Sequence, residues 1–257
     1  MLKRFKIYLL IIYCKAIKED LKAFLINGIN KISLDEKVLC RTSCLGNACI
    51  NKLKLKNTIK LQKMRIDQFY FKNKICKANS IIPYLNNFNY MPFFFELQID
   101  PFLIKRYKYL IFDSFSDLVD SKFSLPNNEN FFTVKGDINI HKLLNAGGSY
   151  YKQIEVKNIK RIYLSVFKAF WDKYHCNIYF ILCPTALDER EYYKERSILI
   201  NRAIIELSKE LDYIKVIKIN DKNVTAQKND SFPYHFSDKT ITYISNKLKK
   251  EIELNNE

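Results

Sequence analysis

Apolar positions along the chain fall into two patterns, short continuous runs and longer stretches with helical spacing. Continuous runs, which are typical of strands buried on both faces, cover 37–40, 108–112, 177–183 and 214–219. Helical spacing predicts helices at 48–55, 159–174, 189–211 and 240–254. Because the strands alternate with helices, the pattern predicts a mostly parallel sheet with helices on both faces, a three-layer α/β/α sandwich.

Functional side chains in a parallel sheet of this kind gather beyond the carboxyl ends of the strands. In this chain those positions are 43–47, 113–117, 184–185 and the loop before the last helix. These four segments are therefore where the sequence predicts functional side chains.

The first 36 residues are set apart from the α/β pattern. A basic start is followed by a short apolar run, 7–13, and then by the charged segment 15–20. The run is far below the roughly 20 residues that span a bilayer, and no small-residue cleavage site follows it. We expect an N-terminal amphipathic helical extension at 1–36, ahead of an α/β domain at 37–257. Packing on that domain is the favoured interpretation, and peripheral contact of the basic helix with the inner membrane stays open.

The cysteines and the charge bear on location and partners. Seven cysteines without a Cys-x-x-Cys pair favour a reduced, cytoplasmic protein. The net charge of +16 is scattered along the chain and follows no nucleic-acid-binding motif, so nucleic acid is a disfavoured partner. An anionic glycan, a nucleotide-sugar or the membrane surface fits the charge better. With only five glycines, Walker and dinucleotide phosphate loops are excluded, and no zinc-finger spacing predicts a metal site.

Three histidines are the candidates for a general base. His175 precedes a predicted strand and is interpreted as a turn residue, and His141 lies in an Asn- and Gly-rich stretch, 126–148, that is predicted to contain an exposed loop. His235 precedes the last helix between two aromatic residues, and Asp230 is placed to orient its Nδ1. The alternative is that His235 only packs beside that helix.

A serine and a cysteine, Ser43 and Cys44, come directly after the first predicted strand. Either side chain becomes a nucleophile if His235 removes its proton. The backbone N–H groups of Gly46 and Asn47 are placed to face a developing oxyanion. The structural alternative makes Ser43 a helix cap and Cys44 a small core residue.

Polar residues also follow the second predicted strand. Asp113 and Ser114 come directly after it, where a carboxylate either binds a sugar hydroxyl or holds a loop by capping a helix. For Asp117, a few positions further on, the structural role is favoured.

Taken in order, these segments resemble an uncharacterised SGNH-hydrolase-like family that is associated with bacterial surface-polysaccharide gene clusters. The likeness is carried by Ser43-Cys44, 109–117, Trp171, Asn201 and Pro233-Tyr234-His235-Phe236, within residues 37–250. The family shows Gly-Ser-Cys, a strand ending in Ile-Asp-Leu, and Pro-Phe-His-Tyr at the corresponding places. The resemblance implies the SGNH, flavodoxin-like variant of the three-layer fold.

The resemblance also implies a function, acyl-ester hydrolysis or O-acyl transfer on a capsule or lipopolysaccharide glycan. Ser43 matches the family's nucleophile and His235 its C-terminal histidine, which Asp230 would orient. Oxyanion or substrate binding is then expected of Cys44, Gly46, Asn47, Asp113, Ser114 and Tyr234. Acetyl-CoA is the acyl donor considered for transfer.

Differences from the family pattern keep a second hypothesis open. Thr42 stands at the place of the family's glycine, and no glycine occurs between Asn47 and Asp113. Asp230 lies five positions before His235, where SGNH enzymes have Asp-x-x-His. These differences favour a catalytically degenerate glycan-binding or polysaccharide-assembly protein that keeps the fold. A third hypothesis, a basic nucleic-acid binder, requires a continuous cationic face with exposed aromatic residues.

Overall fold

Strands and helices alternate through most of the part of the chain that the computed structural model describes. That part comprises residues 36–62, 64–69, 99–125, 131–134, 139–151, 153–230 and 232–255. The elements in chain order are β1 (Lys37–Arg41), α1 (Cys44–Lys52), β2 (Thr58–Lys60), β3 (Tyr107–Asp113), α2 (Phe115–Val119), β4 (Ser121–Ser124), β5 (Phe131–Val134), α3 (Ile140–Asn145), β6 (Ser149–Tyr151), α4 (Val156–Tyr174), β7 (Ile178–Ile181), α5 (Glu191–Glu210), β8 (Ile214–Ile217) and α6 (Asp238–Leu254). The N-terminal extension predicted at 1–36 lies outside the described residues, apart from Glu36.

Five strands form a central sheet in the order β2-β1-β3-β7-β8, and every neighbouring pair is parallel. Four of these strands were predicted, and β2 was missed because three residues carry too little pattern. Leu110, Ile111 and Phe112 in the middle of β3 are 0% exposed, as expected for a strand covered on both faces.

Helices cover both faces of this sheet, so the predicted three-layer α/β/α architecture is confirmed. Helices α1 and α6 pack together, and α4 packs against α5. Helix α4 buries one stripe at helical spacing, Ile159, Tyr163, Val166, Phe167 and Phe170. Three of these residues belong to the predicted stripe, whose fourth member, Ile162, is half-buried. Helix α4 ends at His175, which has a left-handed backbone (φ 50°) and is the predicted turn residue.

A second, three-stranded antiparallel sheet, in the order β5-β4-β6, was not predicted. Strand β5 and helix α3 lie in the stretch 126–148 that was interpreted as containing an exposed loop, and strand β6 follows it directly. Strands of three or four residues, such as Ser149–Tyr151, are too short for an alternating pattern to stand out. His141 is an exposed residue of α3.

The strand order predicts a crevice at the carboxyl ends of the central strands. From β1 the chain adds β2 on one side and β3, β7 and β8 on the other, so the order changes direction between β1 and β3. In open α/β sheets ligands bind at such a switch point, beyond the carboxyl ends of the strands. None of the described helices is both long and apolar enough to cross a membrane.

Candidate functional site

The two turns at the switch point are tied together by one carboxylate, that of Asp113 at the end of β3. Its Oδ2 accepts from the Ser43 backbone N–H at 2.8 Å and from the Ser43 hydroxyl at 2.9 Å. Its Oδ1 accepts from the backbone N–H of Phe115 at 3.1 Å. Ser43 is the N-cap residue of α1 by position, but its side chain makes no capping bond to that helix. The hydroxyl that was predicted to face His235 therefore donates to Asp113.

Asn47 stabilises the turn after β1, and this corrects its predicted role in an oxyanion hole. Its backbone N–H donates to the carbonyl oxygen of Ser43 at 2.9 Å, which is the first hydrogen bond of the helix. Its side-chain Oδ1 accepts from the Thr42 hydroxyl at 2.8 Å. The backbone N–H of Asn47 is therefore already used within α1. Only the N–H groups of the helix residues before Asn47 lie ahead of the first intrahelical hydrogen bond.

Gly46 is where the helix backbone comes closest to the residues around it. A Cβ atom there would lie 2.5 Å from Thr42 Cβ and 2.9 Å from Asp113 Oδ2. Real Cβ atoms do not come that close, so this turn of α1 packs against β1 and Asp113 only because position 46 is a glycine. The sequence signal for this contact was a glycine in the segment that follows a predicted strand, in a chain that has only five glycines.

Asp113 and Ser114 are buried, which argues against the predicted contact with a sugar. Asp113 is 4% exposed, and burial raises the pKa of its carboxyl, although the hydrogen bonds from Ser43 and the charge of Arg41 act in the opposite direction. Ser114 is 0% exposed, and its hydroxyl has no hydrogen-bond partner in the described part of the chain. Asp113 thus holds the loops, the structural alternative that the sequence left open, and Ser114 does not reach the surface.

Beneath these turns lies a buried ion pair that sequence analysis missed. Arg41 donates to Asp117 Oδ1 at 2.7 Å and to the backbone carbonyl oxygen of Asp113 at 2.5 Å. Asp117 also accepts from the Tyr163 hydroxyl and from the backbone N–H of Ile66. Asp117 therefore has the structural role that was favoured for it. The available signal was a charged residue, Arg41, directly after the apolar residues 38–40 of β1.

His235 and Asp230 form a pair in the loop before α6. His235 Nδ1 lies 2.6 Å from Asp230 Oδ2, while Asp230 Oδ1 accepts from the backbone N–H of Phe232 at 2.8 Å. The pKa of Asp230 is lowered, first by the N–H of Phe232 and then by the hydrogen bond with His235. The imidazole is 39% exposed. Because Nδ1 is held by Asp230, Nε2 is the ring nitrogen that remains for chemistry.

Backbone hydrogen bonds hold the loop that carries His235. The N–H of Gln227 donates to the carbonyl oxygen of His235 at 2.9 Å, and the N–H of Ser237 donates to that of Thr225 at 2.9 Å. The Ser237 hydroxyl caps α6 by accepting from the N–H of Thr240 at 3.2 Å. The loop is thus pinned at both sides of the histidine.

A narrow cleft connects the two halves of the candidate site. It is lined by Ser43 and Cys44 after β1, by Phe115 at the start of α2, and by Tyr234 and Phe236 from the histidine loop. His235 lies between two of these residues in the sequence but does not itself line the cleft. The enclosed volume is ≈ 10 Å³, which is the space for one water molecule. A substrate therefore has to widen the cleft to reach Ser43.

Tyr234 forms one wall of the cleft, but its hydroxyl binds Asp188 and does not face the predicted substrate. The hydroxyl donates to Asp188, and the ring packs edge-on against Phe115 with 4.7 Å between the centroids. Arg190 forms a bidentate pair with Asp188, with Nε 2.8 Å and Nη2 2.9 Å from the carboxylate. Asp188 and Arg190, which follow β7, were missed although they lie next to segment 184–185.

Cys44 differs from the other described cysteines in being exposed. It is the first residue of α1, where the helix N-terminus favours negative charge, and it lines the cleft. Cys183 also lines the cleft, but burial raises its pKa to about 12. The interpretation of Cys44 as a core residue is therefore wrong.

The structure thus brings Ser43 together with Asp113 and brings His235 together with Asp230, but it forms no hydrogen bond between Ser43 and His235. The described residues contain no group of three or more His, Cys, Asp or Glu side chains arranged to hold a metal ion. No protein-family model matches the chain, and no curated protein matches it in sequence.

Proposed function

We propose that this protein is an SGNH-like acyl-ester hydrolase or O-acyltransferase that acts on ester groups of a bacterial surface polysaccharide. One observation carries the proposal: Ser43 lies at the switch point in a cleft whose wall is formed by the residues on either side of His235. The hydroxyl of a serine and the imidazole of a histidine oriented by a carboxylate are the parts that acyl transfer needs. The family resemblance points to the same two residues.

The reaction requires the Ser43 hydroxyl to turn from Asp113 towards His235. Nε2 of His235 then takes the hydroxyl proton, and Oγ bonds to the acyl carbonyl carbon as the carbonyl electrons move to oxygen. When the tetrahedral intermediate breaks down, the imidazolium returns the proton to the leaving group, which is the sugar oxygen of a glycan ester or, with acetyl-CoA as the donor, the sulfur of coenzyme A. Asp230 keeps the ring in place and stabilises its positive charge during these steps.

The second half of the reaction decides between hydrolysis and transfer. Water attacks the acyl-serine in a hydrolase, whereas a sugar hydroxyl attacks it in a transferase, and His235 takes the proton in both. Transfer requires that the acceptor sugar keeps water away from the acyl-enzyme, whereas hydrolysis requires one water beside it. Acetyl-CoA is the donor that we propose for transfer, with a glycan or a nucleotide-sugar as acceptor.

The first turn of α1 would supply the oxyanion site. The backbone N–H groups of Leu45 and Gly46 precede the first intrahelical bond, and they lie at the positive end of the helix dipole. Donors of this kind are usually worth about 10²-fold or more in rate. Asn47 is excluded from this role because its N–H donates to Ser43.

A second candidate function, glycan binding or polysaccharide assembly without chemistry, is favoured by the resting position of Ser43. Its hydroxyl is held by a buried carboxylate rather than by an imidazole, and Ser43 is 4% exposed. A hydroxyl that never leaves Asp113 would only maintain the turn.

Hydrolysis of p-nitrophenyl acetate and turnover of acetyl-CoA, measured on the full chain, separate these functions. We expect Ser43→Ala and His235→Ala each to reduce kcat/KM by about 10²-fold or more. The matched control is His141→Ala, which removes an exposed histidine from α3 and should leave the rate unchanged. Circular dichroism melting shows whether each variant is folded.

Cys44→Ala completes the set, because its thiol lines the same cleft. If Cys44→Ala loses activity while Ser43→Ala keeps it, the nucleophile is the thiol of Cys44 and not the hydroxyl of Ser43. Folded variants that all behave like wild type would refute catalysis at this site and favour the second candidate.

A further inference from the structure

A second, larger groove lies at the opposite end of the central strands, at the amino ends of β1, β3 and β7. Its volume is ≈ 470 Å³, within the range of roughly 300–1,000 Å³ that is usual for small-molecule sites. Strand β3 runs from Tyr107 in this groove to Asp113 in the candidate acyl-transfer site. Six steps of about 3.3 Å separate the two sites by about 20 Å, so they share no side chain.

Cations dominate the lining of this groove. The charged residues in it are Lys105, Arg106, Lys108, Lys173 and Glu36, so four cations face one carboxylate. Glu36 pairs with Arg106 at 3.0 Å, and Lys173 donates to the carbonyl oxygen of Phe102. Lys105 and Lys108 are exposed, and no described residue forms an ion pair with either of them. Among the described residues, two ammonium groups of the groove therefore have no carboxylate partner.

The walls of the groove are held independently of any ligand. The hydroxyl of Tyr107 donates to the carbonyl oxygen of Pro101 at 2.8 Å, and that of Tyr174 donates to the carbonyl oxygen of Ile104 at 3.0 Å. Trp171 stacks on Tyr213 with 4.4 Å between the ring centroids. A preformed concave wall lowers the ordering cost of binding.

We propose that this groove binds a small anion with two or more phosphate or carboxylate groups. Clustered cations repel one another, and an anion that neutralises several of them at once relieves more of that repulsion than a single charge does. The concave shape and limited volume fit a small molecule rather than an extended polymer. This inference does not depend on the acyl-transfer proposal, because no residue of that site takes part.

Trp171 makes the proposal testable without a substrate, since it is the only tryptophan of the chain and it lines the groove. Titration of the full chain at low ionic strength with pyrophosphate, and separately with citrate, should change its fluorescence saturably. The probe that binds more tightly identifies phosphate or carboxylate as the group recognised. Inorganic phosphate, with a single group, should bind more weakly than pyrophosphate.

Two double variants test whether the named cations are responsible. Lys105→Gln/Lys108→Gln should weaken the tighter probe about tenfold, because two charge contacts are lost. The control, Lys168→Gln/Arg202→Gln, removes two exposed cations from α4 and α5 outside the groove and should have little effect at moderate salt. Equal weakening of anion binding in both double variants would show that only the net charge of the protein matters, and this would overturn the proposal.

Two further outcomes would also overturn it. One is the lack of a saturable fluorescence change with either probe. The other is tighter binding of a long heparin fragment than of both small anions, which would indicate a polymer surface. Amide chemical-shift changes in the wild type on adding pyrophosphate, expected around 105–108 and 173–177, test the location even if the groove variant does not fold.

Discussion

Replacing Arg41 should destabilise the protein strongly, because its guanidinium is buried directly beneath the candidate site. The side chain is 1% exposed and donates to Asp117, to the carbonyl oxygen of Asp113 and, at 2.7 Å, to that of Met64. Burial alone lowers the pKa of Arg41, but the charge of Asp117 and neighbouring oxygens outweigh it, and the pKa is raised. The guanidinium thus stays charged and compensates Asp117, which is 0% exposed.

The change Arg41→Met keeps much of the side-chain volume and removes the charge. Asp117 then keeps its hydrogen bonds from Tyr163 and Ile66. It loses Arg41, which is its only ion-pair partner among the described residues. Leaving one partner of a buried pair behind costs about 3–5 kcal/mol. That is a large share of the roughly 5–15 kcal/mol by which domains are usually stable.

Urea unfolding followed by far-ultraviolet circular dichroism at neutral pH measures this loss. Adding Asp117→Asn to Arg41→Met removes the unpaired carboxylate, so the double variant should be more stable than the sum of the single losses predicts, by about 0.5–3 kcal/mol. As a control, Lys52→Met breaks an exposed pair with Asp238 and should have little effect. A loss below about 1 kcal/mol for Arg41→Met, or additive losses in the double variant, would refute the reasoning.

Three other predictions concern the turn after β1 and the carboxylate of Asp113 that holds it. Gly46→Ala places a methyl group against Thr42 and should cost about 1–3 kcal/mol in urea unfolding, so an unchanged midpoint would contradict the close packing. Among the described cysteines, Cys44 should react first with iodoacetamide at pH 8, as located by mass spectrometry; earlier labelling of Cys183, whose pKa is about 12, would be inconsistent with the structure. Burial raises the pKa of the Asp113 carboxyl above its unfolded value of 3.8. The stability that the protonated carboxyl contributes is therefore complete below pH 3.8 and is lost as pH rises through the folded pKa. The stability difference between wild type and Asp113→Asn should therefore shrink as pH rises from 4 towards 7, and a difference that grows would reverse the sign of the shift.

Sequence patterns were sufficient for the central sheet and the long helices. Helix α4 was predicted from an apolar stripe of Ile162, Val166, Phe167 and Phe170, and the structure buries three of these residues and leaves Ile162 half-buried. The antiparallel sheet was missed because its strands have three or four residues. The start of α1 was predicted four residues too late, since a first turn that contains Gly46 has low helix propensity.

For the candidate site, the sequence indicated the segments but not the hydrogen bonds within them. It placed Ser43 and Asp113 at strand ends and grouped Asp230 with His235. It did not predict that the Ser43 hydroxyl donates to Asp113, seventy positions away along the chain. The buried position of Arg41 was missed for the same reason, since its partner Asp117 is also remote.

The amino-acid sequence by itself determined the alternation of strands and helices, because hydrophobic periodicity is a local property that each segment carries alone. It also determined which polar residues lie at strand ends, since that follows from where each apolar run stops. Only the tertiary structure decided which donor meets which acceptor in the cleft, and which cations gather at the far edge of the sheet. Hydrogen bonds and ion pairs act over a few ångströms and depend on side-chain direction, and these quantities exist only once remote strands have been brought side by side.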